Sequence, residues 1–186
     1  MKLAPRALAH ASVPALAAGL VLTAFALPAA AQEPPGSTVY RSGGTVQLTA
    51  RSGVANDVTI GIDTSNGHLI VEDQSGIAAF GGCQRLPGST ISADCGPGVT
   101  ALRIVLGDNG DTLFISESVT ANASVDAGTG PDVVVTGGGN DSVVVRDGVG
   151  GNDSVTCDGN QGTGIDQVIG NPGDAVSLTC ERRIFY

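Results

Sequence analysis

Polar and hydrophobic positions repeat with a period of 21 over residues 107–180. Four aspartates stand 21 positions apart, and an apolar residue follows each of them two positions later. The aspartates are Asp111, Asp132, Asp153 and Asp174, and the apolar residues are Leu113, Val134, Val155 and Val176. Runs rich in glycine and asparagine, which permit tight turns, surround the aspartates. Such a period predicts stacked windings in which equivalent residues lie above one another.

Short valine-rich runs follow the turns and are typical of short strands. They are residues 132–135, 142–145 and 153–156. The second and third repeats contain two turns each, so one winding is expected to read turn, strand, turn, strand. The fold class that follows is all-β, mainly a right-handed parallel β-helix or β-roll solenoid with coils of about 21 residues and an irregular N-terminal β cap. The right hand is the usual one for parallel crossovers.

The chain before the repeats also has strand-like patterns. Residues 45–50, 58–63 and 69–73 alternate or cluster like strands, and Ser65-Asn66-Gly67 predicts a hairpin turn between the last two. The run 53–58 loosely echoes residues 150–155, so this region is either a first irregular coil or a separate small β cap. A cap is expected because an uncovered strand edge would pair with other chains.

The patterns divide the chain into four parts. Residues 1–31 are predicted to be a signal peptide, and residues 32–44, rich in proline, glycine and serine, a flexible lead-in. Residues 45–100 are the N-terminal β region or cap, and residues 101–186 are the repeat β-roll. The mature chain is expected to form one domain, or two small domains with a shared core.

Three features at the start of the chain predict export. Lys2 and Arg6 form a positive segment, residues 15–27 are apolar and uncharged, and Ala29-Ala30-Ala31 offers a cleavage site for signal peptidase. The apolar core is too short for a membrane-spanning helix. We therefore expect a secreted, cell-surface or periplasmic protein with no membrane insertion.

Charge narrows the partners that the chain could bind. The 18 acidic residues outnumber the nine basic ones and give a net charge of −9, which becomes more negative once Lys2 and Arg6 are removed. This balance disfavours nucleic acids and anionic membranes and favours cations. No partner protein or partner surface is identified by the sequence.

The four cysteines form two pairs by proximity along the chain, Cys83 with Cys95 and Cys157 with Cys180. Three connectivities are possible for four cysteines, and export makes disulfides the expected state. A bridge between Cys157 and Cys180 would link the last winding to the one before it.

The stacked aspartates raise a problem of charge. Carboxylates about 4.8 Å apart repel by about 1 kcal/mol in water and by about 3–4 kcal/mol at an effective dielectric of 20. The side chains must splay into solvent, take up a proton or share a cation. Calcium is the sharpest of these hypotheses, because hard cations prefer carboxylate and carbonyl oxygens. Ordinary turn chemistry is the alternative, since aspartate is common in turns.

Two stretches carry a family resemblance. Residues 136–144 (TGGGNDSVV) and 127–135 (AGTGPDVVV) approach the nonapeptide G-G-x-G-x-D-x-U-x, in which U is a large apolar residue. The chain here resembles the hemolysin-type (RTX-like) calcium-binding repeat proteins, over less than half of its length. The resemblance implies a parallel β-roll with calcium held between coils by the motif aspartates and turn carbonyls. It adds Asp141 as a further ligand to Asp111, Asp132, Asp153 and Asp174.

The repeats also depart from that family. Its coil has 18 residues instead of 21, and Thr120 and Gly162 occupy the positions that correspond to Asp141, so a second aspartate ladder is expected to be broken. We therefore expect only one to three calcium sites.

Two other functions stay open, a metal-free structural or adhesive surface protein and a polysaccharide-active β-helix enzyme. Catalysis is not expected, because the chain has no nucleophile motif. His68, which lies beside a turn, is interpreted as a surface residue.

Overall fold

Sixteen β-strands make up the regular structure of residues 33–157 and 164–186, the parts of the chain that the computed structural model describes. The strands of the first half are β1 (Ser37–Ser42), β2 (Thr45–Ala50), β3 (Asp57–Asp63), β4 (His68–Asp73), β5 (Ile77–Gly81), β6 (Gln84–Arg85), β7 (Ser92–Asp94) and β8 (Ala101–Val105). Those of the second half are β9 (Thr112–Ile115), β10 (Asn122–Asp126), β11 (Val133–Val135), β12 (Ser142–Val144), β13 (Ser154–Thr156), β14 (Gln167–Gly170), β15 (Ala175–Val176) and β16 (Arg182–Phe185). The predicted signal peptide, residues 1–31, lies outside the described residues.

The strands form two sheets of eight strands each. Sheet I has the order β16-β14-β12-β10-β8-β2-β1-β5, and sheet II has the order β15-β13-β11-β9-β3-β4-β7-β6. From β8 onward successive strands alternate between the two sheets, and each strand pairs in parallel with the next but one, within its own sheet. Both sheets are mixed, because β1–β2 in sheet I and β3–β4, β4–β7 and β6–β7 in sheet II are antiparallel pairs.

The predicted fold class is therefore wrong in its architecture, although the all-β class is confirmed. The molecule consists of two open, mixed sheets and is not a right-handed parallel β-helix or β-roll solenoid with coils of about 21 residues. The physical reason lies in the turns of the N-terminal half. Tight turns such as Ser42–Thr45 reverse the chain within one sheet, so antiparallel hairpins replace the parallel crossovers that a solenoid requires.

A second difference concerns the spacing of paired residues. In sheet II, Thr112, Val133, Ser154 and Ala175 pair in turn at the expected separation, and the hydrogen bonds between neighbouring turns span 21 residues. In the C-terminal part of sheet I the corresponding separations are 18, 25 and 15. The sequence period of 21 thus describes the repeat strands of sheet II and the β8–β10 pair of sheet I, and it fails in sheet I from β10 onward.

Alternating side chains explain why these short segments are strands. In β9, Leu113 and Ile115 are buried while Thr112 and Phe114 face outward. The inward residues of sheet II stack as Val58, Leu113, Val134, Val155 and Val176, and those of sheet I stack as Leu48, Ile104, Val125, Val143 and Val168. Both stacks belong to one hydrophobic core.

The N-terminal region contributes to both sheets. Strands were predicted at residues 45–50, 58–63 and 69–73, and the structure confirms them, together with the hairpin that joins β3 and β4. Parallel pairing of β2 with β8 and of β3 with β9 makes this region continuous with the repeats. The proposed lead-in needs correction, because β1 occupies Ser37–Ser42 within it.

Two disulfides link the chain, Cys83–Cys95 and Cys157–Cys180. Both are the pairs that proximity along the sequence favours. The second joins the end of β13 to the segment between β15 and β16, as expected. Disulfides of this kind indicate an oxidising, extracellular-type environment. Across residues 33–157 and 164–186, no helix has the length and apolar character needed to cross a membrane.

Candidate functional site

Four aspartates lie in register at one edge of sheet II. They immediately precede four strands that pair in parallel, and the strands' first residues are aligned one above another. We call the four residues the aspartate column; its members are Asp111, Asp132, Asp153 and Asp174. The structure thus brings together four of the five predicted metal ligands, and Asp141 lies elsewhere, before β12 of sheet I.

Glycine allows the turns before these aspartates to approach each other closely. Gly128 and Gly130 have positive φ angles of 91° and 125°. A Cβ on Gly128 would lie 1.9 Å from the carbonyl oxygen of Gly107, and one on Gly130 would lie 1.8 Å from that of Asn109. A side chain at either position would therefore push neighbouring turns apart.

Two hydrogen bonds link Asp111 to the Asp132–Val133 segment, and two more link Asp132 to the Asp153–Ser154 segment. The backbone N–H of Asp111 donates to Oδ1 of Asp132 at 2.8 Å, and the N–H of Asp132 donates to Oδ1 of Asp153 at 2.9 Å. In the opposite direction, the carbonyl of Asp111 accepts from Val133 at 2.9 Å, and that of Asp132 accepts from Ser154 at 2.8 Å. One carboxylate oxygen of Asp111, of Asp132 and of Asp153 therefore serves the fold.

The second carboxylate oxygen has no such partner in three of the four residues. Asp111, Asp132 and Asp153 are 1%, 1% and 3% exposed. Their Oδ2 atoms are buried and accept no hydrogen bond from any of the described residues. Buried polar atoms are nearly always satisfied in proteins, so three such atoms in one column require an explanation.

Burial and mutual repulsion raise the pKa values in the column. Burial, together with the charges of Asp108 and Asp73, raises the pKa of Asp111 to about 6. Burial, together with the charges of Asp111 and Asp153, raises the pKa of Asp132 to about 7. The pKa of Asp153 is raised for the same reasons. These carboxylates hold their negative charges at an energetic cost near neutral pH.

Asp174 ends the column differently. Its Oδ1 accepts the N–H of Gly151 at 2.8 Å and its Oδ2 accepts the N–H of Asn171 at 2.6 Å. Both carboxylate oxygens therefore accept hydrogen bonds at the last turn. Asp174 thus has less free coordinating capacity for a cation than the other three aspartates of the column.

A second acidic column lies at the edge of sheet I. The N–H of Ala123 donates to Asp141 at 2.7 Å, the N–H of Asp141 donates to Asp166 at 2.8 Å, and the N–H of Asp166 donates to Glu181 at 2.8 Å. The expectation of a broken second ladder is thus wrong from Asp141 onward, although Ala123 stands at the equivalent position before it. Counting in steps of 21 leads from Asp141 to Gly162, whereas the pairing steps of sheet I are 25 and 15.

Asn56 extends the aspartate column at its N-terminal end. Its N–H donates to Oδ1 of Asp111 at 2.7 Å, so it occupies the place of a preceding aspartate. Its side-chain amide donates to Oδ2 of Asp73 at 2.7 Å, and both residues are buried. The loose echo between residues 53–58 and 150–155 aligns Asn56 with Asp153, and this was the available signal for it. Nothing in the local sequence indicated that Asp73 is buried.

The unpartnered oxygens are of the type that calcium and magnesium prefer. Carboxylates one strand apart could share a cation between them, with turn carbonyls or water as further ligands. Against this, the described residues contain no group of three or more histidine, cysteine, aspartate or glutamate side chains placed to hold a metal ion. The oxygen atoms of these residues are suitable ligands for a hard cation. Because they are few, they would form a weak site and would not surround the ion completely.

Comparison of the chain with protein-family models, with curated proteins and with solved structures found no match. The functional argument therefore depends on the geometry of the site.

Proposed function

We propose that this protein is an exported calcium-binding protein in which calcium, held by the aspartate column, stabilises the stacked turns. The single observation that carries the proposal is the set of three buried, unpartnered Oδ2 atoms of Asp111, Asp132 and Asp153. The residue pairs that would share a cation are Asp111 with Asp132 and Asp132 with Asp153. Asp174 and Asp141 are weaker candidates, because Asp174 uses both oxygens in its turn and Asp141 belongs to the other sheet.

Electrostatics supports a cation at these positions. Two carboxylates one strand spacing apart repel by about 3–4 kcal/mol at an effective dielectric of 20, and a divalent ion between them would convert this repulsion into attraction. A proton could also remove one charge. However, with pKa values of about 6 for Asp111 and about 7 for Asp132, both carboxyl groups are mostly ionised above pH 7, where a cation would balance the charge instead.

Export agrees with a weak site. The two disulfides, together with the signal peptide expected at residues 1–31, suggest an oxidising compartment outside the cytoplasm. Extracellular calcium sites typically have dissociation constants of about 10⁻⁴–10⁻³ M, which suits a site with few protein carboxylates. The resemblance of residues 127–144 to hemolysin-type turns also favours calcium, although the sheets differ from a β-roll.

Calcium titration of an aspartate variant tests the proposal. Asp132→Asn keeps the oxygen that accepts the N–H of Asp111, and it removes the charge common to both carboxylate pairs. In isothermal titration calorimetry we expect the intact chain to bind calcium with a dissociation constant of about 10⁻⁴–10⁻³ M. Asp132→Asn should weaken binding by at least about tenfold, equivalent to about 1.4 kcal/mol.

The matched control is Asp126→Asn, which removes an exposed carboxylate from β10 and should leave calcium binding unchanged. Magnesium, which demands a more regular set of ligands, should bind more weakly. Calcium binding by Asp132→Asn that equals that of the intact chain would rule out the aspartate column as the site.

A metal-free structural or adhesive surface protein is the second candidate. One observation favours it: Oδ1 of each column aspartate already accepts a backbone N–H, so the column contributes to the fold without a metal. This function would be favoured if the intact chain gave no heat of binding at a calcium concentration of about 10⁻² M, tenfold above the expected range of dissociation constants. A polysaccharide-active enzyme has less support, since the column carboxylates are buried.

A further inference from the structure

A cavity of about 330 Å³ lies at the β6–β7 end of sheet II, in a different part of the fold from the aspartate column. Its polar lining residues are His68, Gln84, Arg85 and Asp94, and its apolar ones include Leu86 and Pro87. The volume is at the lower end of the range for small-molecule sites. It suits a single ring or a short acid better than an extended chain.

A disulfide and several hydrogen bonds hold the backbone of the cavity wall in place. Gln84 follows Cys83 and Asp94 precedes Cys95, so the Cys83–Cys95 disulfide fixes the two residues opposite each other in the β6–β7 pair. Arg41, on β1, donates hydrogen bonds to the carbonyls of Cys95 and Pro97 and secures the same segment. Such a preformed wall reduces the entropy lost when a ligand binds.

His68 and Asp94 are hydrogen-bonded to each other in the cavity wall. Nδ1 of His68 lies 2.9 Å from Oδ2 of Asp94, and the two side chains keep 32% and 28% of their surface exposed. Burial acts to raise the pKa of Asp94, but the hydrogen bonds from His68 and from the N–H of Gly96 outweigh it and lower that pKa. Because Asp94 engages Nδ1, Nε2 of His68 is available to a ligand.

Arg85 supplies the positive charge of the cavity. In residues 33–157 and 164–186, the only basic and acidic side chains within ion-pair distance of each other are His68 and Asp94, so Arg85 has no acidic partner there. A guanidinium group binds a carboxylate through two parallel hydrogen bonds. Arg85 is thus an exposed, unpaired arginine that lines a cavity of a strongly acidic protein, and it is placed to select an anionic ligand.

We propose that this cavity binds a small hydroxylated carboxylate of the size of one hexuronic acid. Arg85 would bind the carboxylate, and Asp94, Gln84 and His68 would exchange hydrogen bonds with the hydroxyl groups. Leu86 and Pro87 would contact the apolar face of the ring. This assignment is independent of calcium and of the aspartate column.

The test is a titration of the full exported chain with D-glucuronate, followed by ¹⁵N–¹H NMR. A chelator is present throughout, so that calcium cannot bridge protein and ligand. We expect shifts confined to residues of the β6–β7 cavity and a dissociation constant in the millimolar range, about 10⁻³ M. Glucose, which lacks the carboxylate, and acetate, which lacks the hydroxyl groups, should each bind at least about tenfold more weakly.

Matched arginine variants locate the binding group. Arg85→Gln should weaken glucuronate binding by at least about tenfold. Arg103→Gln, which removes an exposed arginine from β8 of sheet I, should have no effect. The thermal midpoints of both variants confirm that they are folded, and Asp94→Asn gives a second variant in the same wall.

Three results would overturn the proposal. They are the absence of shifts at the cavity up to about 50 mM glucuronate, equal affinity for glucose or acetate, and unchanged affinity in Arg85→Gln and Asp94→Asn. The titration is done in chelator and does not depend on calcium. A negative result would therefore contradict the ligand-binding cavity without contradicting the proposed calcium function.

Discussion

In three aspartates of the column, the two oxygens of the carboxylate have different surroundings. Oδ1 accepts a backbone N–H from the preceding turn, while Oδ2 of Asp111, Asp132 and Asp153 is buried without a partner. A carboxylate that served the turn alone would leave its second oxygen in solvent, as turn aspartates usually do. The burial of that second oxygen is what separates this column from ordinary turn chemistry.

The glycines of the turns have an equally specific role, and Gly128 provides the first prediction. Gly128→Ala places a Cβ 1.9 Å from the carbonyl oxygen of Gly107 at a φ of 91°. We expect the free energy of unfolding to fall by about 3 kcal/mol or more, because both strain and overlap act against the fold. The melting temperature should fall by about 6–12 °C in a thermal scan.

Gly61→Ala is the control for that substitution. Gly61 lies within β3, and a Cβ there would have no neighbour within 4 Å. The melting temperature should change by no more than about 3 °C, in either direction. Equal destabilisation by the two variants would contradict the close packing of the turns.

At the residue scale, the sequence predicted which aspartates align but not what each oxygen does. The spacing of 21 was sufficient to align Asp111, Asp132, Asp153 and Asp174. The different use of Asp174 depends on Gly151 and Asn171, which come close only when the last turn has folded. No local pattern could separate Asp174 from the other three.

At the scale of elements, the repeat strands of sheet II follow the sequence period, whereas those of sheet I depart from it after β10. The strands of sheet II begin directly after the aspartates, so their spacing can be counted in the sequence. The strands of sheet I are reached through turns of different lengths, with pairing steps of 18, 25 and 15. Register there is set by which residues point inward, as with Val125, Val143 and Val168, and a fixed period misses it.

The Cys157–Cys180 disulfide is the element that secures the C-terminal strands. Without it, β15 (two residues) and β16 are each held by a single neighbouring strand. Replacing both cysteines by alanine should lower the free energy of unfolding by about 2–4 kcal/mol, since the bridge closes a loop with a sequence separation of 23. A thermal scan should show the melting temperature falling by about 5–15 °C.

Leu178→Ala is the matched control for the disulfide, because Leu178 lies in the same segment and is 82% exposed. It should leave the melting temperature within about 2 °C of the intact chain. If the double cysteine variant were as stable as this control, the disulfide would not be what holds the C-terminal strands.

At the scale of the whole molecule, the hairpins of the N-terminal half determine the architecture. The sequence correctly predicted the N-terminal strands and the β3–β4 hairpin. The solenoid prediction was wrong because it relied on a repeat that covers less than half of the chain. The antiparallel pairs β1–β2 and β3–β4 join the parallel strands through β2 and β3, so that one core serves both halves. Turns could be predicted from the local sequence. The pairing of strands that are 55 residues or more apart in the sequence could not.

The charge of the column also has a consequence for the whole molecule. The pKa values of about 6 for Asp111 and about 7 for Asp132 lie above the usual aspartate value of 3.8. A carboxyl group with a raised pKa stabilises the fold when it is protonated, and this contribution is lost as the pH rises through 6–7. Asp108 and Asp147 have lowered pKa values and act in the opposite direction, but only at lower pH.

The most direct test of calcium as the partner of the aspartate column is therefore the melting temperature of the full chain at pH 5 and pH 8, each with chelator and with about 5 mM calcium. In chelator, the melting temperature should be lower at pH 8 than at pH 5, because the column is then fully charged. Calcium should raise it by several degrees at pH 8 and by less at pH 5, where protons compete for the same oxygens. Equal melting temperatures at pH 8 with calcium and with chelator would contradict the calcium-binding function.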